Sequence, residues 1–186
     1  VRGGRSGAGP GKACRLAPRP GPPNPTGLAC GAGVIKGVGL ANPCGDEEIA
    51  VLQETRRRLA QAGQGVKLVA SIFGTAVEDY AYLAERMNEA RPDFLEINIS
   101  CPNVHDELAR PFAASCPAAA AVTRAVKRVS AAPVIVKLSP NVTDIAEIAR
   151  AVEDAGADAI AAINTCLLYT SPSPRDRTRS RMPSSA

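Results

Sequence analysis

Strand–helix alternation, apolar strands and polar strand ends together predict an α/β fold, an incomplete (β/α)8 TIM barrel. Between Val34 and Thr165, short apolar runs alternate with helical segments of amphipathic period. The runs are nearly free of polar residues, as in a parallel sheet covered by helices. Polar residues gather instead at their C-terminal ends: Ser71, then Asn98, Ser100, Cys101 and Asn103, then Lys137, Ser139 and Asn141, then Asn164 and Thr165. In a barrel these ends converge on one face, where active sites lie. In an open doubly wound sheet they spread into a row with one usable crevice. No Gly-x-Gly-x-x-Gly follows a strand, so the dinucleotide fold lacks its usual mark. A whole barrel takes about 250 residues. Residues 1–165 are too few for one, so a fragment is expected.

The elements follow in order. Val1 to Gly33 is rich in Gly and Pro and shows no hydrophobic period. Asp46 and Glu47 open a helix to about Ala62, with Ile49, Leu52 and Leu59 facing inward. Val66–Phe73 is an apolar strand. Val77–Ala90 is a helix with Tyr80, Leu83 and Met87 on one face. Phe94–Ile99 is the second strand. Pro117–Ser130 is an Ala-rich helix ending in Lys127 and Arg128, cations that suit a helix C-terminus. Val134–Leu138 is the third strand. Asp144–Ala155 is a helix with Asp144 and Glu147 at capping-box spacing and Gly156 as its stop. Ala159–Ile163 is the fourth strand.

Composition excludes several function classes. Aromatics are 3% and Trp is absent, which argues against a base-stacking surface. No apolar run approaches the roughly 20 residues of a membrane helix. The net charge of +4 is mostly local: four of the 22 basic and one of the 18 acidic residues lie in 166–186, leaving 18 against 17 in residues 1–165. The body is electrostatically bland, and neither nucleic acid nor membrane is an expected partner. The six cysteines form no Cys-x-x-Cys pair and His105 is the only histidine, so no metal site is expected. Reduced thiols and a cytoplasmic setting follow from the absence of a secretory signal. The chain starts at Val1 rather than Met, and a truncated N-terminus is expected.

The segment Glu96-Ile-Asn-Ile-Ser-Cys-Pro-Asn-Val104 carries the chemistry. Two amides, a hydroxyl and a thiol follow a strand within six residues, and Pro102 fixes the turn. Cys101 is a candidate nucleophile or general base. The plainer alternative is a small buried thiol in a tight loop. A lysine inside VIVKL is unusual, which marks Lys137 as a candidate rather than a solvated strand-end lysine. Ser71 is either a cofactor contact or a strand-end cap. His105 and Cys116 read as loop or core residues.

NISCPNV, then VIVKLSPNVTDIAEIA, then AGADAI and Ile163-Asn-Thr165, resembles the catalytic core of the cytosolic, cysteine-dependent (class 1) dihydroorotate dehydrogenases, in the flavour of the NAD-linked 1B catalytic subunit. The resemblance runs from about Val34 to Thr165. Upstream, Lys12 to Gly21 resembles the family's lysine-bearing second strand and the loop after it. Gly21-Pro-Pro-Asn-Pro-Thr26 stands where Gly-Asn-Pro-x-Pro-Arg is usual, which marks 1–33 as a degraded N-terminal segment. Gly33–Leu40 matches the substrate-side loop, with Lys36 where Asn is usual and Cys44 where Gly is usual.

The resemblance implies an FMN-dependent barrel, partial over residues 34–165, in which the four strands above and a remnant near Lys12 are strands two to six. It implies oxidation of dihydroorotate to orotate in pyrimidine biosynthesis. Cys101 would take the C5 proton while FMN accepts the C6 hydride. Lys12, Lys36, Gly37, Val38, Gly39, Leu40, Asn98, Asn103, Asn164 and Thr165 would contact substrate. Lys12, Ala13, Ser71, Asn98, Lys137 and Ile163 would contact FMN. The implied partners are an iron–sulfur/FAD electron-transfer subunit and further copies, as a homodimer or heterotetramer. Fumarate-using relatives share the cysteine loop.

Residues 166–186 are Ser/Pro/Arg-rich and have no core-forming pattern. CLLYTSPSPRD and RMPSSA can both be encoded by strings resembling the two ends of a common sequencing-library adapter, so this tail is expected to be translated adapter. The rival is a genuine basic tail. Without strands one, seven and eight, this fragment is expected to bind no flavin, to be inactive and to be poorly soluble. Two alternatives compete: a dihydropyrimidine dehydrogenase-like flavin oxidoreductase, which shares an Asn-x-Ser-Cys-Pro loop, and a non-enzymatic basic-tailed binding module. Asn103-Val104 favours the orotate enzyme.

Overall fold

The computed structural model describes residues 7–30, 33–63, 65–100 and 111–166. Five strands form one parallel sheet: β1 (Ala8–Pro10), β4 (Lys67–Ile72), β5 (Phe94–Asn98), β6 (Val134–Lys137) and β7 (Ala159–Ala161). They lie side by side in chain order. A doubly wound sheet reverses its order at a switch point, and this one does not. Between them run α1 (Gly45–Gln61), α2 (Val77–Met87), α3 (Cys116–Lys127) and α4 (Ile145–Asp154). Each helix packs on the next, forming a single layer.

The two faces of the sheet differ accordingly. Ala70, Ile72, Leu95, Ile97, Val134 and Val136 are sealed under the helices, in one core with Leu52, Leu83, Val122 and Val152. On the opposite face Phe94, Glu96, Ile135 and Lys137 remain half-exposed. Helices on one side and an open face on the other make this a partial barrel rather than a three-layer sandwich.

Local chemistry explains the helices. Asp46, Glu47 and Glu48 sit in the first turn of α1, where the helix dipole favours anions. Asp79 in the first turn of α2 accepts the backbone amides of Thr75 and Ala76. Tyr80, Leu83 and Met87 are buried as their spacing predicts. Ser115 caps α3, and Asp144 Oδ1 caps α4 by accepting the Ala146 amide at 2.7 Å. Gly156, at φ 100°, ends α4 in a conformation that disfavours side chains.

Three features depart from the sequence expectations. The Gly/Pro-rich start shows no hydrophobic period yet carries a strand, where the resemblance alone had set a remnant near Lys12: β1 pairs parallel with β4 from Ala8↔Lys67 to Pro10↔Val69. Its pairing uses backbone groups alone, which a Gly-rich segment still supplies. β2 (Gly27–Cys30) and β3 (Gly33–Lys36) form a separate antiparallel hairpin. Leu59 is half-exposed rather than buried, since the end of α1 borders a cleft with Val66 and Lys67.

Candidate active site

Register decides which side chains meet. Ser71 lies opposite Glu96, Asn98 opposite Lys137, and Lys137 opposite Ala161. Side chains alternate across a strand, so Ser71, Glu96, Asn98 and Lys137 share the open face. Ser71 Oγ donates to Glu96 Oε1 at 2.8 Å, and Lys137 Nζ lies 3.8 Å from the same oxygen.

A second network joins the ends of β5 and β7. Asn164 Nδ2 donates to Ser100 Oγ at 2.7 Å, and Ser100 Oγ donates to Asn98 Oδ1 at 2.7 Å. The Asn98 carbonyl accepts Tyr80 Oη at 3.1 Å, which ties the strand end to α2. Tyr80 is itself held edge-on against Phe112. Asn98 and Ser100 are buried, so their polar atoms depend on these partners. Beyond β6, Ser139 Oγ accepts from the Asn141 amide and side chain. Thr165 donates its backbone amide to Asn164 Oδ1 at 2.8 Å. Ile163 sits just past β7 and is exposed.

Lys12 and Ala13 stand at the end of β1. Pro10 pairs with Val69 and Cys14 with Ile72, so the β1 side has one residue more than its partner. This is a bulge, a device that re-aims side chains near strand ends. The Lys12 amide donates to Glu48 Oε1 at 3.0 Å. Burial pushes the Glu48 carboxyl up, partly offset by the Lys12 amide and ammonium. Cys14 is fully buried, and that burial, with Glu48 and Cys44 nearby, pushes its thiol up to about 12. Cys14 therefore stays protonated and inert.

Lys36, Gly37, Val38, Gly39 and Leu40 lie on β3 and the turn after it. The Gly37 amide donates to the Thr26 carbonyl, and Asn42 Nδ2 donates to the Leu40 carbonyl at 2.8 Å. Among the described residues, no hydrogen bond or ion pair joins this loop to Asn98, Ser100, Lys137 or Asn164. Cys101 and Asn103 lie outside the described residues, as does His105. Among the described residues no three His, Cys, Asp or Glu side chains cluster for a metal. No helix there is long and apolar enough to cross a membrane.

Sequence reasoning gave Glu96 no role on this face, and set Ser100 among the polar strand ends without a contact. The parity of Asn98 was a signal for both: residues two apart on a strand share a face. The open face offers an ammonium, hydroxyls and amides beside apolar Phe94 and Ile135. That donor set suits a planar heterocycle with carbonyl and ring-nitrogen acceptors, such as a flavin.

The family described as dihydroorotate dehydrogenase matches residues 3–174. The catalytic subunit of dihydroorotate dehydrogenase B (NAD(+)) from Bacillus pumilus is 44% identical over 157 residues, covering 84% of this chain and 49% of that protein. The protein of the same name from Desulforamulus reducens is 43% identical over 157 residues, 84% and 50% of the two chains. Dihydroorotate dehydrogenase A (fumarate) from Lacticaseibacillus paracasei is 47% identical over 132 residues, 70% and 44%. The chain thus spans about half the length of the curated relatives it matches. Among solved structures, the carboxyl transferase domain of Rhizobium etli pyruvate carboxylase aligns at a TM-score of 0.45 and 17% identity over 63% of this chain and 19% of that one, too slight a likeness to bear on function. On the extent of the family match, this chain is a member of the dihydroorotate dehydrogenase family.

Proposed function

We propose that the full-length protein binds FMN on the open face of its barrel and oxidises dihydroorotate to orotate, in the cytoplasm, for pyrimidine synthesis. The observation that carries this reading is the joining of Asn98 and Ser100 at the end of β5 to Asn164 past the end of β7, with Lys137 on the intervening β6 opposite Asn98. FMN supplies the hydride acceptor when bound. Asn98 and Asn164 bind the pyrimidine ring and its carboxylate together with Asn103 and Thr165, since neutral amides match alternating donors and acceptors. Lys137 places positive charge where ring reduction creates negative charge. Cys101, the next residue after Ser100 in the sequence, removes the C5 proton as general base. Lys12 and Ala13 complete the cofactor side with Ser71 and Ile163, and residues 36–40 close the substrate side.

Relatives named as catalytic subunits of an NAD-linked enzyme favour a partner subunit carrying an iron–sulfur centre and FAD. The test is anaerobic addition of dihydroorotate to the purified full-length protein. The reading predicts a bound flavin whose absorption bleaches at once. NAD should restore it only when the partner subunit is present. A protein without flavin, or a flavin that dihydroorotate leaves oxidised, would refute it. Restoration by fumarate alone would reassign the electron acceptor.

A further inference from the structure

We propose that Glu96 is a positioning residue that sets how much positive charge Lys137 presents to the cofactor; this rests on the flavin reading above. Glu96 faces Ile135 and Lys137 faces Asn98, so the two are diagonal neighbours on the open face. Long side chains span that separation. Lys137 Nζ lies 3.8 Å from Glu96 Oε1, and the Ser71 hydroxyl holds the same oxygen at 2.8 Å. The three side chains come from three adjacent strands, which fixes the carboxylate from two sides.

The pair is sheltered: the Glu96 side chain is 14% exposed and that of Lys137 30%. Such a pair is screened less than an exposed one. A bare ammonium beside the ring favours the reduced, more negative flavin. A carboxylate sharing that ammonium cancels part of its field and holds the flavin at a lower potential. Glu96 touches neither flavin nor substrate in this account. It acts through Lys137, and Ser71 keeps it in place.

The experiment is the two-electron midpoint potential of bound FMN in the full-length protein, by spectroelectrochemistry. Glu96→Gln should shift the balance of bound flavin toward the reduced form about tenfold, which is about 30 mV upward for a two-electron couple. Glu96→Asp withdraws the charge by one methylene and should move the potential the same way by less. If Glu96→Gln does not fold, the sign of the Glu96→Asp shift decides. Potentials at or below wild type in both variants overturn the proposal. So does a loss of flavin occupancy or thermal stability with the potential unmoved, which is what a purely structural glutamate gives. A wild-type protein that holds no flavin defeats the functional reading itself. A wild-type protein that turns over dihydroorotate while the variants keep its potential defeats this inference alone.

Discussion

The two ends of the barrel strands solve different problems. At the N-terminal ends the chain repeats one device. Asp93 precedes β5, accepts the Leu68 amide of the neighbouring β4 at 2.9 Å, and pairs with Lys67 and Arg56. Asp158 precedes β7, accepts the Val134 amide of β6 at 2.7 Å, and pairs with Lys127. Each acid stitches the start of one strand to the next and is neutralised locally. Among the described residues, the C-terminal ends of β5, β6 and β7 carry neutral amides and hydroxyls, with the pair Glu96–Lys137 on the open face. One end spends its charges on holding strands together, and the other keeps a varied set of donors and acceptors turned toward open space. In (β/α)8 enzymes that is the division between stability and catalysis.

Substitutions on the two sides of this contrast differ in cost. Ile97→Ala, on the sealed face of β5, should cost about 2–5 kcal/mol in denaturant unfolding, because the core cannot collapse around the lost atoms. A cost under about 1 kcal/mol would mean the helix layer is not packed as described.

Asp93→Ala should cost about 1–3 kcal/mol, since it leaves the Leu68 amide without its partner. It should leave kcat of the full-length enzyme unchanged. Burial alone would raise the Asp93 carboxyl, but the Leu68 amide, Lys67 and Arg56 outweigh it and hold the group down at about 2. The folded value lies below the unfolded value of about 3.9. The stabilisation is therefore present above about pH 4 and is lost as pH falls toward 2. Acid unfolding of Asp93→Asn should show a shallower pH dependence in that window.

At the other end the signs reverse. Ser100→Ala removes the link between Asn98 and Asn164 and should lower kcat/KM about tenfold, with a stability loss of about 1 kcal/mol. An unchanged kcat/KM would detach this network from the site. Smallest of all, deleting residues 167–186 should change stability by less than about 0.5 kcal/mol.

What the sequence revealed, and what it hid, follows the same physics. Tyr80, Leu83 and Met87 announce a helix face because 3.6-residue periodicity is written locally. Asp144 announces a cap for the same reason. β1 was hidden from periodicity and visible only through the resemblance near Lys12: Gly and Pro give no side-chain signal, and pairing with β4 joins segments about sixty residues apart. The β2–β3 hairpin was hidden likewise. The polar strand ends were legible as a set. That Glu96 lies against Ser71 and Lys137, and that Ser100 bridges two asparagines, depends on register between strands, which no single segment encodes.

On the proposed function, proton removal by Cys101 sets how fast the bound flavin can be reduced. It is tested most directly by mixing dihydroorotate with the full-length enzyme under anaerobic conditions and following flavin bleaching in a single turnover, wild type against Cys101→Ala. Loss of a positioned general base predicts a rate lower by about 10²–10⁴-fold, with flavin still bound. Bleaching at the wild-type rate would contradict the account.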